Sequence, residues 1–188
     1  MSLFKLMYQS LTGKYQPQGD VVDGDFIIAD AWGKIRWGNE YFPGPVNAAL
    51  ASFIVTRLPD LPMAVAAEVA EASLMTGQPM SRVMWLGSTQ DRHYAYEIME
   101  WGIDAMHRHG CKRPILVAHA YLVPRCLAIM RRNGVEPIVP PDLPRGFDIH
   151  SAQRWTRSPR HLVVKEPLVW TEHLLRHRIS LHPAPSRS

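Results

Sequence analysis

The chain has 188 residues, of which 46% are hydrophobic, and its 21 Lys and Arg exceed 17 Asp and Glu for a formal charge of +4. This composition excludes a disordered chain and predicts one domain over 1–188, with an N-terminal arm over 1–24 and a disordered tail over 182–188. The basic residues are scattered, so no nucleic acid partner is expected. Two cysteines and the lack of a long apolar segment predict a cytoplasmic protein without a membrane span.

Strand and helix patterns alternate from residue 25 onward. The run 25–30 predicts a buried strand, and 46–58 predicts a helix that Pro59 ends. Segment 63–67 suits either a second strand or the start of a helix, and this alternative stays open. Segment 82–86 predicts a strand, and 90–108 predicts a long helix from its apolar positions at three- and four-residue spacing.

The segment 112–140 predicts a compact βαβ unit. Its apolar run 114–118 leads into a polar loop and a short helix, which ends at Asn133-Gly134 because glycine accepts a positive φ. Segment 135–139 is again extended, and a last helix is predicted over 165–178. The alternation predicts a three-layer α/β sandwich with a mostly parallel, Rossmann-like sheet, whose ligands bind at the carboxyl ends of the strands.

Polar residues follow the predicted strands at that edge of the sheet. Asp30 follows the first strand, and Ser88 with Thr89 precedes the long helix. Hydroxyls and N–H groups at a helix N-terminus suit a phosphate or carboxylate, although Ser and Thr are also the preferred N-cap residues. Tyr121 follows the strand of the βαβ unit and could stack on a ligand or hydrogen-bond to it.

His119 and Arg125 each have two interpretations. His119 could be a general acid or base, since its ordinary pKa lies near neutrality, or a histidine with a structural role. Arg125 opposes the positive end of its helix dipole, which indicates either an anionic ligand or an ion pair. The candidate ion-pair partners are Asp30, Asp91 and Asp142.

No metal site is predicted. His107 and His109 lie near Cys111 at a helix end, where the sequence offers no further ligand. His173 and His177 share a helix face but lack the glutamate of a zinc protease helix. A glycine-rich phosphate loop and a nucleophile elbow are also absent from the sequence.

The residues Ser88-Thr89, Ala118-His119-Ala120-Tyr121 and Pro124-Arg125 together resemble the YdcF-like family, which includes the ElyC and SanA proteins. The resemblance covers 82–139, about a third of the chain. Leu122 stands where the family has a histidine, and Asp91-Arg92 replaces a Glu-Asn pair, so a remote or divergent member is indicated. The resemblance implies a Rossmann-like domain with a ligand pocket.

The sequence predicts a protein that binds a small anionic or nucleotide-like ligand, such as a nucleotide or S-adenosylmethionine. If catalysis occurs, hydrolysis or group transfer with His119 as acid or base is the simplest form. The alternative is a non-catalytic interaction protein that docks a partner through the basic stretch 154–160, in which Trp155 and Arg157 would be anchors.

Overall fold

The computed structural model describes residues 3–87, 95–176 and 179. The described helices are α1 Leu3–Thr12, α2 Pro45–Arg57, α3 Ala67–Met75, α4 Ala95–Arg108, α5 Val123–Arg132 and α6 Pro159–Leu175. The strands are β1 Phe26–Ala29, β2 Lys34–Trp37, β3 Glu40–Pro43, β4 Met63–Ala66, β5 Val83–Gly87 and β6 Pro114–Val117. Among these residues, no helix is both long and apolar enough to cross a membrane.

The central sheet has the strand order β5-β4-β1-β6, and all its pairs are parallel. Ile28 of β1 pairs with Ala64 of β4 on one side and with Leu116 of β6 on the other. Strands β1, β4 and β6 are buried along their whole length, which explains why they are continuous apolar runs. The expected Rossmann-like parallel sheet is therefore present.

Helices cover the sheet and complete the expected three-layer α/β sandwich. Helices α2 and α3 pack against each other, and α3 lies against β4 and β5. Helix α4 packs on β1, β4 and β5 and contacts α5. Gly102 permits the close approach of α4, because a Cβ there would come within 2.7 Å of the Ile28 side chain.

The βαβ prediction is confirmed in its strand, helix and helix end. Helix α5 ends at Arg132, and Gly134 has a φ of +74°. Ile138 then bonds beside β6, with its N–H on the Pro114 carbonyl and its carbonyl on the Leu116 N–H, both at 2.8 Å. Beyond it, Val139 exchanges two backbone hydrogen bonds with Gln18, so the N-terminal segment closes this edge of the sheet.

Other boundaries differ from the sequence predictions. Segment 63–67 is resolved as strand β4 followed directly by α3, so the strand interpretation is correct. The segment expected as an arm over 1–24 contains α1, which packs against α5 and α6. Helix α6 starts earlier than predicted, at Pro159, and the predicted tail 182–188 lies outside the described residues.

An antiparallel ribbon of β2 and β3 lies between β1 and α2, where the sequence analysis predicted no strand. Gly38 has a φ of +62° and is the first of the two loop residues, as a type II′ hairpin requires. The ribbon joins the carboxyl end of β1 to the N-terminus of α2, so it stands at the carboxyl edge of the sheet. Strand β3 packs against α2 and α3.

Candidate functional site

The strand order predicts a ligand crevice at the carboxyl ends of β1 and β6. The chain leaves β1 toward β4 on one side and leaves β6 toward Ile138 on the other, so the connections after these two neighbouring strands run in opposite directions. Open parallel sheets bind ligands at such a switch point. The Asp30 N–H still bonds to the Val117 carbonyl at 3.0 Å, which holds the two strand ends together.

Asp30 is buried at the end of β1, with only 6% of its surface exposed. Its Oδ1 accepts the Ala31 N–H at 2.8 Å, and its Oδ2 faces the Cys126 thiol at 3.9 Å. Burial raises the pKa of Asp30 to about 7, and the nearby charge of Glu68 adds to this rise. The Ala31 N–H and the Arg125 charge act in the opposite direction. Asp30 can therefore exchange a proton near neutral pH.

Arg125 lies in the first turn of α5, and it is one of the buried polar residues of the domain. Its Nη1 donates to Glu166 Oε2 of α6 at 2.9 Å, in an ion pair whose side chains are 10% and 2% exposed. Glu166 Oε1 also accepts the Trp170 indole N–H at 3.1 Å. The ion-pair interpretation of Arg125 thus has a partner, Glu166, which the sequence analysis did not name.

His119 is fully buried beyond the end of β6. Its ring stacks on Trp32 with centroids 3.9 Å apart and on Tyr121 at 5.4 Å, while Phe147 meets it edge-on. Its Nε2 donates to the Gly146 carbonyl at 2.7 Å. Burial lowers the pKa of His119 to about 4, so the imidazole is neutral at pH 7. These contacts favour the structural interpretation of His119.

Tyr121 is half-buried and belongs to the same aromatic group. Its ring meets Phe147 edge-on at 5.0 Å and covers Gly13, where a Cβ would lie 2.5 Å from a ring carbon. Gly13 has a φ of +63°, so the turn after α1 fits closely against this ring. The predicted site residues Ser88 and Thr89 lie outside the described residues, and their anion-binding role stays a prediction.

Several buried polar atoms near the crevice lack hydrogen-bond partners in the part of the chain that the structure describes. They are two donors and two acceptors on four side chains, namely Trp32 Nε1, Arg125 Nε, His119 Nδ1 and Asp148 Oδ2. Native structures satisfy most buried polar atoms, and exceptions indicate a bound molecule, a water or a functional requirement. Trp32 and His119 lie in the loops that follow β1 and β6, Arg125 lies in the first turn of α5, and Asp148 lies in the segment between α5 and α6.

Asn47 holds the loop between β1 and the ribbon. Its Oδ1 accepts the Trp32 N–H and its Nδ2 donates to the Gly33 carbonyl, each at 2.8 Å. Gly33 has a φ of +70°, and a Cβ there would meet the Thr156 hydroxyl at 2.8 Å. The sequence analysis missed Asn47, Glu166 and Asp148, because their roles depend on contacts between distant segments.

Two other regions are less suited to a ligand. A cleft of about 220 Å³ between α1 and α5 is lined by Gln9, Gln18 and Arg131, but Arg131 donates to Glu136 at 3.0 Å and to Gln18 at 3.3 Å. The expected anchor Trp155 is half-buried beneath the Lys165 ammonium, 3.4 Å from the ring centroid. Within the described ranges, no three His, Cys, Asp or Glu side chains are grouped to hold a metal ion.

Comparisons with known proteins leave the chain without an assigned family. Models of known protein families do not match its sequence, nor do curated proteins or solved structures. The resemblance to the YdcF-like family therefore stays a prediction, and function must be argued from the crevice itself.

Proposed function

We propose that this protein binds a small anionic or nucleotide-like ligand in the crevice between β1 and β6. Support comes mainly from Asp30, a buried carboxyl group at the switch point of a parallel sheet. Trp32 and Arg125 beside it have unpartnered buried donors among the described residues. A bound ligand would supply acceptors for these donors and hydroxyl or amino donors for Asp30.

Charge favours a ligand that combines donors with an anion. The charge of Arg125 acts on two buried carboxyl groups, Asp30 and Glu166, and Glu68 adds a further acidic group near Asp30, so Arg125 mainly balances protein carboxylates. In this proposal Asp30 accepts a ligand hydroxyl or amino group, while Ser88 and Thr89 hold the anionic group. A nucleotide or an S-adenosylmethionine-like molecule carries both kinds of group.

If the protein is an enzyme, Asp30 is better suited than His119 to transfer a proton. A catalytic acid or base works best when its pKa lies near the operating pH, as the raised pKa of Asp30 does. His119 is neutral, stacked on Trp32 and Tyr121, and bonded to Gly146. In a hydrolysis or group-transfer reaction, His119 would therefore have a supporting role in the wall of the crevice.

A thermal-shift screen tests the proposal, with nucleotides, sugar nucleotides, S-adenosylmethionine, phosphates and carboxylates as probes. A ligand at a hundred times its dissociation constant adds about 2.7 kcal/mol to the stability. One compound class should raise the midpoint of wild type and of Asp104→Asn, an exposed control on α4, but raise that of Asp30→Asn much less. If no compound shifts the wild-type midpoint, the proposal fails.

The non-catalytic alternative has separate support in α6. Val164, Leu168 and Leu175 are 72%, 69% and 77% exposed, and their spacing places them on one face of the helix. Such apolar exposure is typical of an interaction surface. This alternative is favoured if no small molecule raises the wild-type midpoint and the double variant Val164→Glu with Leu168→Glu no longer binds a partner that wild type binds.

A further inference from the structure

Helix α6 is apolar on two opposite faces. Its inner face is buried against the domain, where the Trp170 indole N–H donates to Ser10 of α1 at 3.3 Å. Its outer face carries Val164, Leu168 and Leu175, which are more than two-thirds exposed. A helix that is apolar all round is normally covered on every side, so the outer face of α6 indicates a second contact.

Helix α4 has the outer surface that is usual for a helix on the outside of a domain. Its exposed side carries Asp104 and Arg108, which form an ion pair of 3.0 Å, while Met99 and Met106 are buried on the other side. Polar side chains on the solvent face and apolar ones on the inner face are typical of surface helices. The exposed apolar side chains of α6 depart from this pattern within the same domain, and such a surface typically binds a partner.

The exposed residues of α6 lie along one line of the helix. We define the outer stripe as five exposed residues, Arg160, Val164, Leu168, Thr171 and Leu175. They recur at intervals of three or four residues, so the stripe follows the helix for about 22 Å. The Thr171 hydroxyl donates to the Pro167 carbonyl at 2.9 Å. The middle of the stripe can therefore be covered without leaving a polar side chain unpaired.

Charge limits what can cover the outer stripe. Its one charged member, Arg160, lies in the first turn of α6, where no acidic side chain accompanies it. The partner must therefore be apolar along most of its length and negative at one end. An anionic membrane would attract a surface with several cations, and the stripe carries only one.

A second copy of α6 meets both conditions. If two copies pair antiparallel about a twofold axis, Leu168 lies near the axis and each Val164 lies beside the C-terminal half of the other stripe. Each Arg160 then lies beside the last turn of the other helix, where the carbonyl end of the helix dipole is negative. Glu172 is in that turn and pairs with Arg176 at 3.4 Å, so the side-chain charges there balance and the dipole is left to attract Arg160.

We propose that the protein forms a homodimer in which the outer stripes of two α6 helices pack antiparallel about a twofold axis. This inference goes beyond ligand binding and does not depend on it. A contact along a single helix lies at the small end of specific interfaces, so we expect a dissociation constant on the order of 10 µM. The inner face of the same helix holds Glu166, the partner of Arg125, so the dimer contact and the ion pair near Asp30 share one helix.

Sedimentation velocity of the full chain from about 1 to about 200 µM tests the proposal. Wild type should change from monomer to dimer across this range. Leu168→Glu places two carboxylates together at the axis and should raise the dissociation constant at least about tenfold. Leu74→Glu, which changes a comparably exposed leucine on α3, is the matched control and should dimerise like wild type.

A charge exchange at position 168 tests the twofold axis. Leu168→Lys alone should also be monomeric, but an equimolar mixture of Leu168→Glu and Leu168→Lys should form a heterodimer, because this geometry brings position 168 of both copies together. A mixture that stays monomeric, while each variant keeps the circular dichroism of wild type, overturns the proposal.

Three results with wild type would also overturn it. The first is a monomer at every concentration, and the second is a dimer that Leu168→Glu leaves intact. The third is binding to anionic phosphatidylserine vesicles that Leu168→Glu abolishes, without a dimer in solution, which would identify a lipid surface as the partner of the outer stripe.

Discussion

The ends of β1 and β6 differ in how they bury a titratable group. Asp30 and His119 lie beyond neighbouring parallel strands, and burial drives both toward their neutral forms, raising the pKa of one and lowering that of the other. Asp30 has charged groups around it, whereas aromatic rings enclose His119. The same edge therefore combines a carboxyl group that can change charge near pH 7 with an imidazole that stays neutral.

The largest expected effect comes from removing the cation on the Asp30 side. Arg125→Ala leaves Glu166 buried without its 2.9 Å partner and should lower the free energy of unfolding by about 3–5 kcal/mol. Chemical denaturation measures the loss. Arg113→Ala is the control, since its ion pair with Asp23 is more than half exposed and should contribute at most about 1 kcal/mol.

A double variant distinguishes charge from packing at this pair. Arg125→Met with Glu166→Leu removes both charges and should recover most of the loss. A double variant as unstable as Arg125→Ala would show that the arginine side chain matters for its shape, and the contrast between the two strand ends would then not be electrostatic.

Replacing a buried polar residue usually lowers the free energy of unfolding, but Asp30→Asn should raise it above about pH 4. The folded chain keeps a proton on Asp30 that the unfolded chain releases above about pH 4, so wild-type stability falls as the pH rises from about 4 to about 7. The variant lacks this penalty. It should equal wild type near pH 4 and exceed it by up to roughly 4 kcal/mol above pH 7.

Denaturation curves of Asp30→Asn and wild type across this pH range measure the difference. Asp104→Asn, which changes an exposed carboxylate on α4, should run parallel to wild type. A constant difference between Asp30→Asn and wild type at all pH values would contradict the raised pKa.

His119→Gln should change the pH dependence of the free energy of unfolding in the direction opposite to Asp30→Asn. Below about pH 6.5 the unfolded chain gains a proton that the folded chain refuses until about pH 4, so wild type loses stability as the pH falls through this range. The variant loses the stacking on Trp32 at every pH, but its deficit should narrow by about 3 kcal/mol between pH 7 and pH 4.

NMR titration of the His119 ring gives an independent reading, and His150→Gln, at an exposed position, is the control for denaturation. A His119 ring that titrates near pH 6.5 would remove the distinction between the two strand ends.

The smallest effect is expected at Asn47, which holds the loop between the two sides. Asn47→Ala removes its bonds to Trp32 and Gly33 and should lower stability by about 2 kcal/mol. Because Trp32 stacks on His119, the near-ultraviolet circular dichroism of the tryptophans should change as well. An unchanged spectrum would indicate that the loop keeps its position without Asn47.

The sheet was predictable because its strands carry their own signals. Apolar runs such as 114–118, ended by polar loops, and a glycine at Gly134 with the expected positive φ fix strands and helix ends locally. The ribbon also had a local signal, since Gly38-Asn39 between aromatic residues is a hairpin pattern, but the sequence analysis assigned no element to 34–42. Helix α1 was missed because its partners, α5 and α6, lie more than a hundred residues away.

Only the positions of the candidate-site residues in the fold could be predicted from the sequence. Asp30, His119 and Arg125 were found because residues after parallel strands meet at one edge. Their protonation states and ion-pair partners could not be predicted, because burial and contacts with distant residues determine them. Glu166 lies 41 residues from Arg125, and the two rings that stack on His119 come from two separate loops. Ser88 and Thr89 remain untested, since they lie outside the described residues.

The strand-like contact of Gln18 with Val139 has a consequence for how the protein resists self-association. The two backbone bonds between them occupy groups at Val139 that could otherwise pair with a strand of another molecule. A protease cut between Gln18 and Gly19, a glycine with positive φ, would separate Gln18 from the rest of the domain. We expect such nicked protein to aggregate through the uncovered border at Ile138 and Val139 before its core unfolds.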